Sequence, residues 1–466
     1  MKNISKKEIT ELNSKEKLKT TINTYIQCVK EASDSNIPKI KTRNKIAIPW
    51  WTEELNKLKK EMTVKKRRIS YAASRRRRYV VEQYLEIKNK YEEEVAQAQI
   101  NSWKKFCSKQ DRESLWDGIY RVIRKTSKKH EDVLLIREGK SLDAKESVKY
   151  VAETFFPDDN LENEIPEQYH TRMKANKMCT QTTDDIWDVP FTATELQFAT
   201  SSFYPRKAPG SDGLTADICA AAINVDEQIF LALLNKCLEL SYFPDPWKEA
   251  TVLALRKPGK TDYSLAKSYR PIGLLSVMGK ILEKMMVRRL KYYILPKLNP
   301  RQYGFVPQRC TEDSLYDLVL HIKNNLRNKK ISIVISLDIE EAFDSAWWPA
   351  IKNRLMEIKC PVNLRRLVNS YFTDRKVKVR HANEVFTKNN TKGCIQGSIG
   401  GAISWNLLLD PLLNELEERG VYCQAFADDI VLIFSGHVTS DIKVNVDQTL
   451  SHIYEWGLKN KLKFAP

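Results

Sequence analysis

The 466-residue chain has no apolar run long enough to span a membrane. About 18 consecutive apolar positions would be needed, so no transmembrane helix is expected. The first ten residues are charged and polar, so no secretory signal is expected either. Nine cysteines are scattered singly with no Cys-x-x-Cys pair, and six histidines are equally dispersed with no His-Glu-x-x-His. Those absences exclude a disulfide framework and a zinc site, and they fit a reducing, intracellular setting, nuclear or cytoplasmic. Hydrophobic residues make up 42% of the chain, enough for a sizeable core.

What is present is positive charge, and it is localised. The net charge is +18, and residues 1–130 carry almost all of it, with 33 Lys+Arg against 16 Asp+Glu. Two runs stand out: Lys65, Lys66, Arg67 and Arg68, then Arg75, Arg76, Arg77 and Arg78. From Ser74 to about Lys109, positions Val81, Leu85, Lys88, Tyr91, Val95 and Ala98 keep helical spacing. This predicts one long basic helix with Ser74 as N-cap, preceded by a shorter one from Thr52. A solvated helical face would read the same way, but sustained basic stripes are the usual footprint of nucleic-acid binding. A wide apolar face is missing, which argues against a membrane surface. Residues 131–190 form an acidic stretch; 153–188 hold nine acids and three bases, with a turn-rich run at Pro157-Asp158-Asp159-Asn160. We expect a linker there, giving three regions: 1–130 basic and helical, 131–190 linker, 191–466 an α+β domain.

The chemistry is carried by acids. Ala427-Asp428-Asp429 parts two apolar runs, Val421 to Phe426 and Ile430 to Phe434, the pattern of a β-hairpin with two carboxylates at its tip. Two like charges about 4 Å apart repel by about 4 kcal/mol at an effective dielectric of about 20. A divalent cation removes that repulsion, whereas a polar turn has no need of two acids. Far upstream, Ile331 to Leu337 is almost wholly apolar and ends in Asp338, which reads as a buried central strand. A strand-end Asp beside a hairpin-tip pair supplies carboxylates for two magnesium ions, the arrangement that clamps attacking and leaving oxygens in phosphoryl transfer.

Leu337-Asp338 through Phe343-Asp344, then Gln396-Gly397-Ser398, then Phe426-Ala427-Asp428-Asp429 resemble three polymerase motifs in their family order. The resemblance is to reverse transcriptases of non-LTR retrotransposons, of the jockey-like and related arthropod kind. It implies a right-hand polymerase with palm and fingers, α+β, taking an RNA template, a DNA primer and deoxynucleoside triphosphates. Asp338, Asp428 and Asp429 become the catalytic acids; Asp338, Asp428 and the Ile339 carbonyl become the ligands of two Mg2+ ions. Phe343 takes the steric-gate position against a ribose 2′-hydroxyl, and Gln396 and Gly397 line the nucleotide pocket, in the run Gly393-Cys394-Ile395-Gln396-Gly397-Ser398 from which a helix is expected to start and run through Leu416. Thr251 to Leu255 with Lys257, Lys260 and Arg270 is similar to the fingers motif, in which Arg270 and Lys257 or Lys260 hold the triphosphate. Gln302 to Pro307 is similar to the next block, where Arg309 is implicated in template contact and Phe305 is read as core.

In the family an endonuclease precedes, and a thumb follows, the stretch matched here, so a fragment is expected. Ile395 stands where the family has Pro, and Gly400-Gly401 also departs from the commoner pair. Viral RNA-dependent RNA polymerases share the acids, but Ala427 and Phe343 argue against them. The alternative from another class is an inactive remnant, or a domesticated nucleic-acid-binding protein on the same fold.

Overall fold

A computed structural model describes residues 5–38, 50–108, 133–177, 186–205 and 207–465. The chain divides into two compact units, Met1–Ile37 with Asp132–Pro466, and Pro38–Glu131.

The smaller unit is built on two helices, Glu53–Tyr71 and Ser74–Ser108. The Thr52 side chain accepts from the Leu55 amide and caps the first, satisfying one of the orphan donors of a helix start. Both helices fall where the apolar spacing predicts.

The larger unit includes helices Lys6–Thr10 and Lys15–Asn36. They pack through Ile9, Leu18, Ile22 and Tyr25 into the main core, with Lys236 Nζ donating to the Thr10 carbonyl at 2.9 Å. The first 37 residues therefore group with the later chain, not with the basic helices that follow them.

Strand labels run in chain order. A short hairpin joins β1 (Ile136–Arg137) to β2 (Lys140–Ser141). A four-stranded sheet has the order β4-β3-β6-β7, from β3 (Glu249–Arg256), β4 (Tyr269–Leu274), β6 (Arg375–His381) and β7 (Glu384–Asn390). A three-stranded sheet has the order β5-β9-β8, from β5 (Ile331–Leu337), β8 (Tyr422–Phe426) and β9 (Asp429–Gly436). Apolar residues of the sheet, Ile430, Leu432 and Phe434, join helix Gly401–Glu418 in the main core. A second core lies under the four-stranded sheet, around Val252, Val377 and Val379.

Three expectations change. The apolar run Ile331–Leu337 is a strand, but it lies at the edge of its sheet, and Val334 is 48% exposed. The central place belongs to β9, which pairs on both sides. An unbroken apolar run reports β propensity, not position in the sheet. The stretch 131–190, where described, also carries more structure than its composition suggests. It contains helices Ala144–Phe155 and Pro166–Lys177, and the first of these buries Val148, Val151 and Phe155 in the second core.

Two of its acids share a pair of cations. Asp159 and Glu164 both bind Arg172, and both bind Lys461, at 2.6 and 2.8 Å. All four residues are half-buried, so removing one partner costs less than the ~3–5 kcal/mol of a fully buried pair. Finally, the helix expected directly from Gly393-Cys394 starts only at Gly401, so Gly393–Gly400 stays an irregular turn.

Candidate active site

The β8–β9 hairpin closes with Phe426 opposite Asp429, so Ala427 and Asp428 form its turn. Ala427 sits at φ +61°, a left-handed conformation such two-residue turns require. The turn is braced from behind. The Trp405 indole donates to the Ala427 carbonyl at 3.0 Å, and the Gln302 side-chain oxygen accepts from Gly304 N at 2.8 Å and Ala427 N at 3.3 Å. Gly304 must be glycine, because a Cβ there would lie 2.0 Å from Ala427 N.

Asp338 follows β5, which pairs with β9 so that Leu337 faces Ile430. That register brings the Asp338 carboxylate beside the hairpin tip. The backbone around Asp338 is fixed by chain from far downstream. Ala465 N donates to the Asp338 carbonyl at 2.8 Å, Glu340 N donates to the Lys463 carbonyl at 2.9 Å, and Ile339 bridges Phe464.

A cleft of about 370 Å3 opens here. From the three-stranded side it is lined by Asp338, Ile339, Phe343 and Asp428; from the other side come Lys257, Arg270 and Gln396. Residues picked from separate motifs thus share one wall-to-wall space. Lys260 is exposed and is not among the lining residues; of the two expected lysines only Lys257 reaches the cleft, where Lys267 joins it. Asp429 is exposed, begins β9 and does not line it. Gly397 sits one position behind Gln396 at φ +110°, where a Cβ would lie 2.5 Å from the Gly273 carbonyl.

Burial pushes the Asp428 carboxyl above its usual range, and the charges of Asp429 and Asp338 push it the same way. Asp344 lies on the same cleft, only 9% exposed. Burial, then the neighbouring Glu341, pushes its carboxyl up to about 7, against the opposing pull of Lys257. Phe343 is half-buried, tilted on Trp405 at 5.5 Å and edge-on to Phe305 at 5.8 Å. Phe305 itself is 43% exposed at φ +61°, not the core residue its type suggested. The Arg309 guanidinium donates to the Gln302 carbonyl at 2.7 Å and bridges to that of Pro300, so it braces the loop behind the hairpin.

Residues 255–466 match the reverse transcriptase (RNA-dependent DNA polymerase) family. This segment is a reverse transcriptase domain. Its relatives are of the non-LTR retrotransposon kind. The chain is 28% identical over 417 residues to a retrovirus-related Pol polyprotein from type-1 retrotransposable element R1 of Bradysia coprophila, covering 88% of this chain and 40% of that protein. It is 29% identical over 372 residues to a 115 kDa protein in type-1 retrotransposable element R1DM of Drosophila melanogaster, covering 79% and 34%. It is 29% identical over 262 residues to the RNA-directed DNA polymerase from mobile element jockey of Drosophila melanogaster, covering 54% and 28%. The chain therefore spans well under half the length of these relatives.

The basic runs belong to the other unit. Arg75, Arg76, Arg77 and Arg78 are exposed, as are Lys66, Arg67 and Arg68, while Lys65 is half-buried. Arg78 pairs with Glu82 at 3.4 Å and Lys65 with Glu61 at 3.9 Å; exposed pairs of this kind contribute about 0–1 kcal/mol and leave the stripe strongly positive.

Two features of the reverse transcriptase domain escape a motif reading. Gln302 acts through its amide on a turn more than a hundred positions away. Asp344 is visible in the sequence, but only its burial makes it chemically unusual. The signal available for each was its place beside a motif, nothing more.

Proposed function

We propose that the cleft is the nucleotidyl-transfer site of an RNA-directed DNA polymerase, with the three-stranded sheet as palm and the β3–β4 hairpin as fingers. The observation that carries this reading is the convergence of Lys257, Arg270, Asp338, Gln396 and Asp428 on one cleft. Lys257 and Arg270 face Asp338 and Asp428 across a space that a triphosphate would occupy, with Lys267 also on the cleft wall.

Asp338 and Asp428 are the residues that would hold magnesium, with the Ile339 carbonyl beside them. Among the described residues no three His, Cys, Asp or Glu side chains converge on one point. Magnesium needs fewer, since it is usually held by one or two carboxylates plus substrate phosphates. The crowding that pushes Asp428 upward is also what a divalent cation relieves. When bound, two such ions would neutralise charge on the attacking and leaving oxygens. The chain's own residues orient the substrate. Arg270 offers a planar donor fork and Lys257 a point charge to phosphate oxygens. Gln396 and Gly397 form the floor of the nucleotide pocket, with the glycine allowing close backbone approach. The Phe343 ring, tilted on Trp405, would meet a ribose 2′-hydroxyl and exclude it. The exposed arginine run of the smaller unit would hold template or primer phosphates without sequence preference.

Primer extension on an RNA template with a DNA primer, magnesium and deoxynucleotides tests the reading. Extension by the parent that is lost in Asp428→Ala is the expected result. A parent that extends no better than Asp428→Ala while still binding RNA would replace the reading with that of a nucleic-acid-binding remnant.

A further inference from the structure

Glu283 is a carboxylate in the wrong place for an ordinary helix residue. It sits on the helix Val277–Ile294 and is only 2% exposed. One of its oxygens, Oε1, accepts three hydrogen bonds: from the Tyr371 hydroxyl at 2.7 Å, from Ile399 N at 2.9 Å and from Gly400 N at 2.7 Å. The last two donors belong to the turn that leads from Gln396 and Gly397 into the helix Gly401–Glu418. That helix has no acid in its own first turn, and its N-cap Gly400 has no side chain to offer; its first amide, Gly401 N, donates to the Ser398 hydroxyl at 3.2 Å. Glu283 supplies the missing acid from outside. Acceptor oxygens at a helix N-terminus are favoured by the dipole and by the unpaired amides there, and those amides give a buried carboxylate the hydrogen bonds that water would otherwise supply.

The same turn is held at its other end. Gly273 N donates to the Gln396 carbonyl at 2.7 Å, and Gly273 belongs to β4, the strand that carries Arg270. Gln396 therefore lies between two fixed points, the β4 backbone and the Glu283 carboxylate. Gly400, an oddity in the sequence, now has a reason. A Cβ there would lie 3.3 Å from Glu283 Oε1, so the carboxylate would have to give by a few tenths of an ångström. A helix N-terminus is a ready anion site; here the protein's own acid fills it, so the phosphates of a nucleotide are left to Lys257 and Arg270.

We propose that Glu283 is a positioning residue for the nucleotide pocket: it holds the Gln396–Gly400 turn in shape and thereby sets affinity for the incoming nucleotide, not the rate of transfer. This rests on the polymerase reading of the cleft.

Two measurements test it. Amide hydrogen exchange on the free full chain reads the turn directly: Glu283→Ala should speed exchange at Ile399 and Gly400 by at least about tenfold relative to the core of the same helix. Steady-state extension should then show KM for the nucleotide raised about tenfold with kcat nearly unchanged. Glu283→Gln keeps the acceptor and the shape, so it should restore most of both. Tyr371→Phe removes the third hydrogen bond but leaves the turn's two, and should leave KM alone. The proposal is overturned if Glu283→Ala leaves exchange at Ile399 and Gly400 at the parent rate, or if Tyr371→Phe raises KM as much as Glu283→Ala does. A parent with no nucleotide-dependent extension overturns the polymerase reading and the nucleotide role with it. The exchange data keep that failure distinct, because they report on the turn whether or not the chain polymerises.

Discussion

Asp344 makes a prediction that needs no catalytic activity. Its carboxyl is 9% exposed on the short turn Ala342–Ser345, and burial raises it from 3.8 to about 7. The folded protein thus holds this proton more tightly than the unfolded chain does. Between those two values the native state binds more protons, so stability falls as pH rises through that window. At 1.36 kcal/mol per pH unit, the change corresponds to about 4 kcal/mol, present below pH 4 and lost by pH 8. Asp344→Asn keeps the shape and never ionises. Urea unfolding of parent and variant, followed by tryptophan fluorescence in magnesium-free buffer at a series of pH values, isolates the effect, because all other titrating groups cancel in the difference. The variant should be close to the parent at pH 4 and more stable by several kcal/mol at pH 8. A difference that stays constant across the series would refute the reasoning. Lys257→Met should widen the difference at pH 8, because Lys257 is the charge that favours the ionised form.

Asp428→Ala should abolish extension while holding or slightly raising magnesium-free stability, since it removes a half-buried acid crowded by Asp429 and Asp338; thermal melting and extension on the same preparation check both halves. Phe343→Val should raise ribonucleotide incorporation relative to deoxynucleotide by at least about tenfold, which needs only about 1.4 kcal/mol of differential transition-state energy. The same change should cost about 1–3 kcal/mol in stability from lost packing on Trp405 and Phe305; an unchanged sugar ratio would leave Phe343 as packing alone. Changing Arg75, Arg76, Arg77 and Arg78 together to Gln should weaken binding of single-stranded RNA and flatten its salt dependence, whose log–log slope is about −0.7 per phosphate neutralised. Filter binding across a salt series reads this, and an unaltered slope would remove the run from the interface.

The parts of the site that a sequence can reveal are those whose residue type is itself unusual. Adjacent acids between apolar runs are an ordinary turn on their own, but together with a far-upstream strand ending in Asp they are not, so Asp338 and Asp428 stood out before any fold was known; the Gln396–Gly397 pair was marked only by its resemblance to a polymerase motif. Helices Glu53–Tyr71 and Ser74–Ser108 and the hairpin β8–β9 followed from apolar spacing with small boundary differences. What stayed hidden depends on pairing across distance. Nothing in Ile331–Leu337 announces an edge strand, because the choice of centre was made by β9. The acids of residues 153–188 look like linker composition, yet Asp159 meets Lys461 across 302 positions. Glu283 sits in a helix whose sequence would be equally content with a surface glutamate; only Ile399 and Gly400 give it a task.

The stitch between Glu340 and Lys463 joins residues 123 apart in sequence. It has a consequence for the order in which the protein becomes itself. Closing so long a loop costs entropy before it returns any contact, and non-local pairing of this kind forms late. On a ribosome the β5 strand emerges well before its stitching partner, since chains leave at about 5–20 residues per second. For that interval Asp338 has a strand to end but no neighbour to hold its carbonyl. The cleft is therefore among the late parts of the domain to set, and a newly made chain passes through a stage in which β5 exists and the acid is not yet aimed.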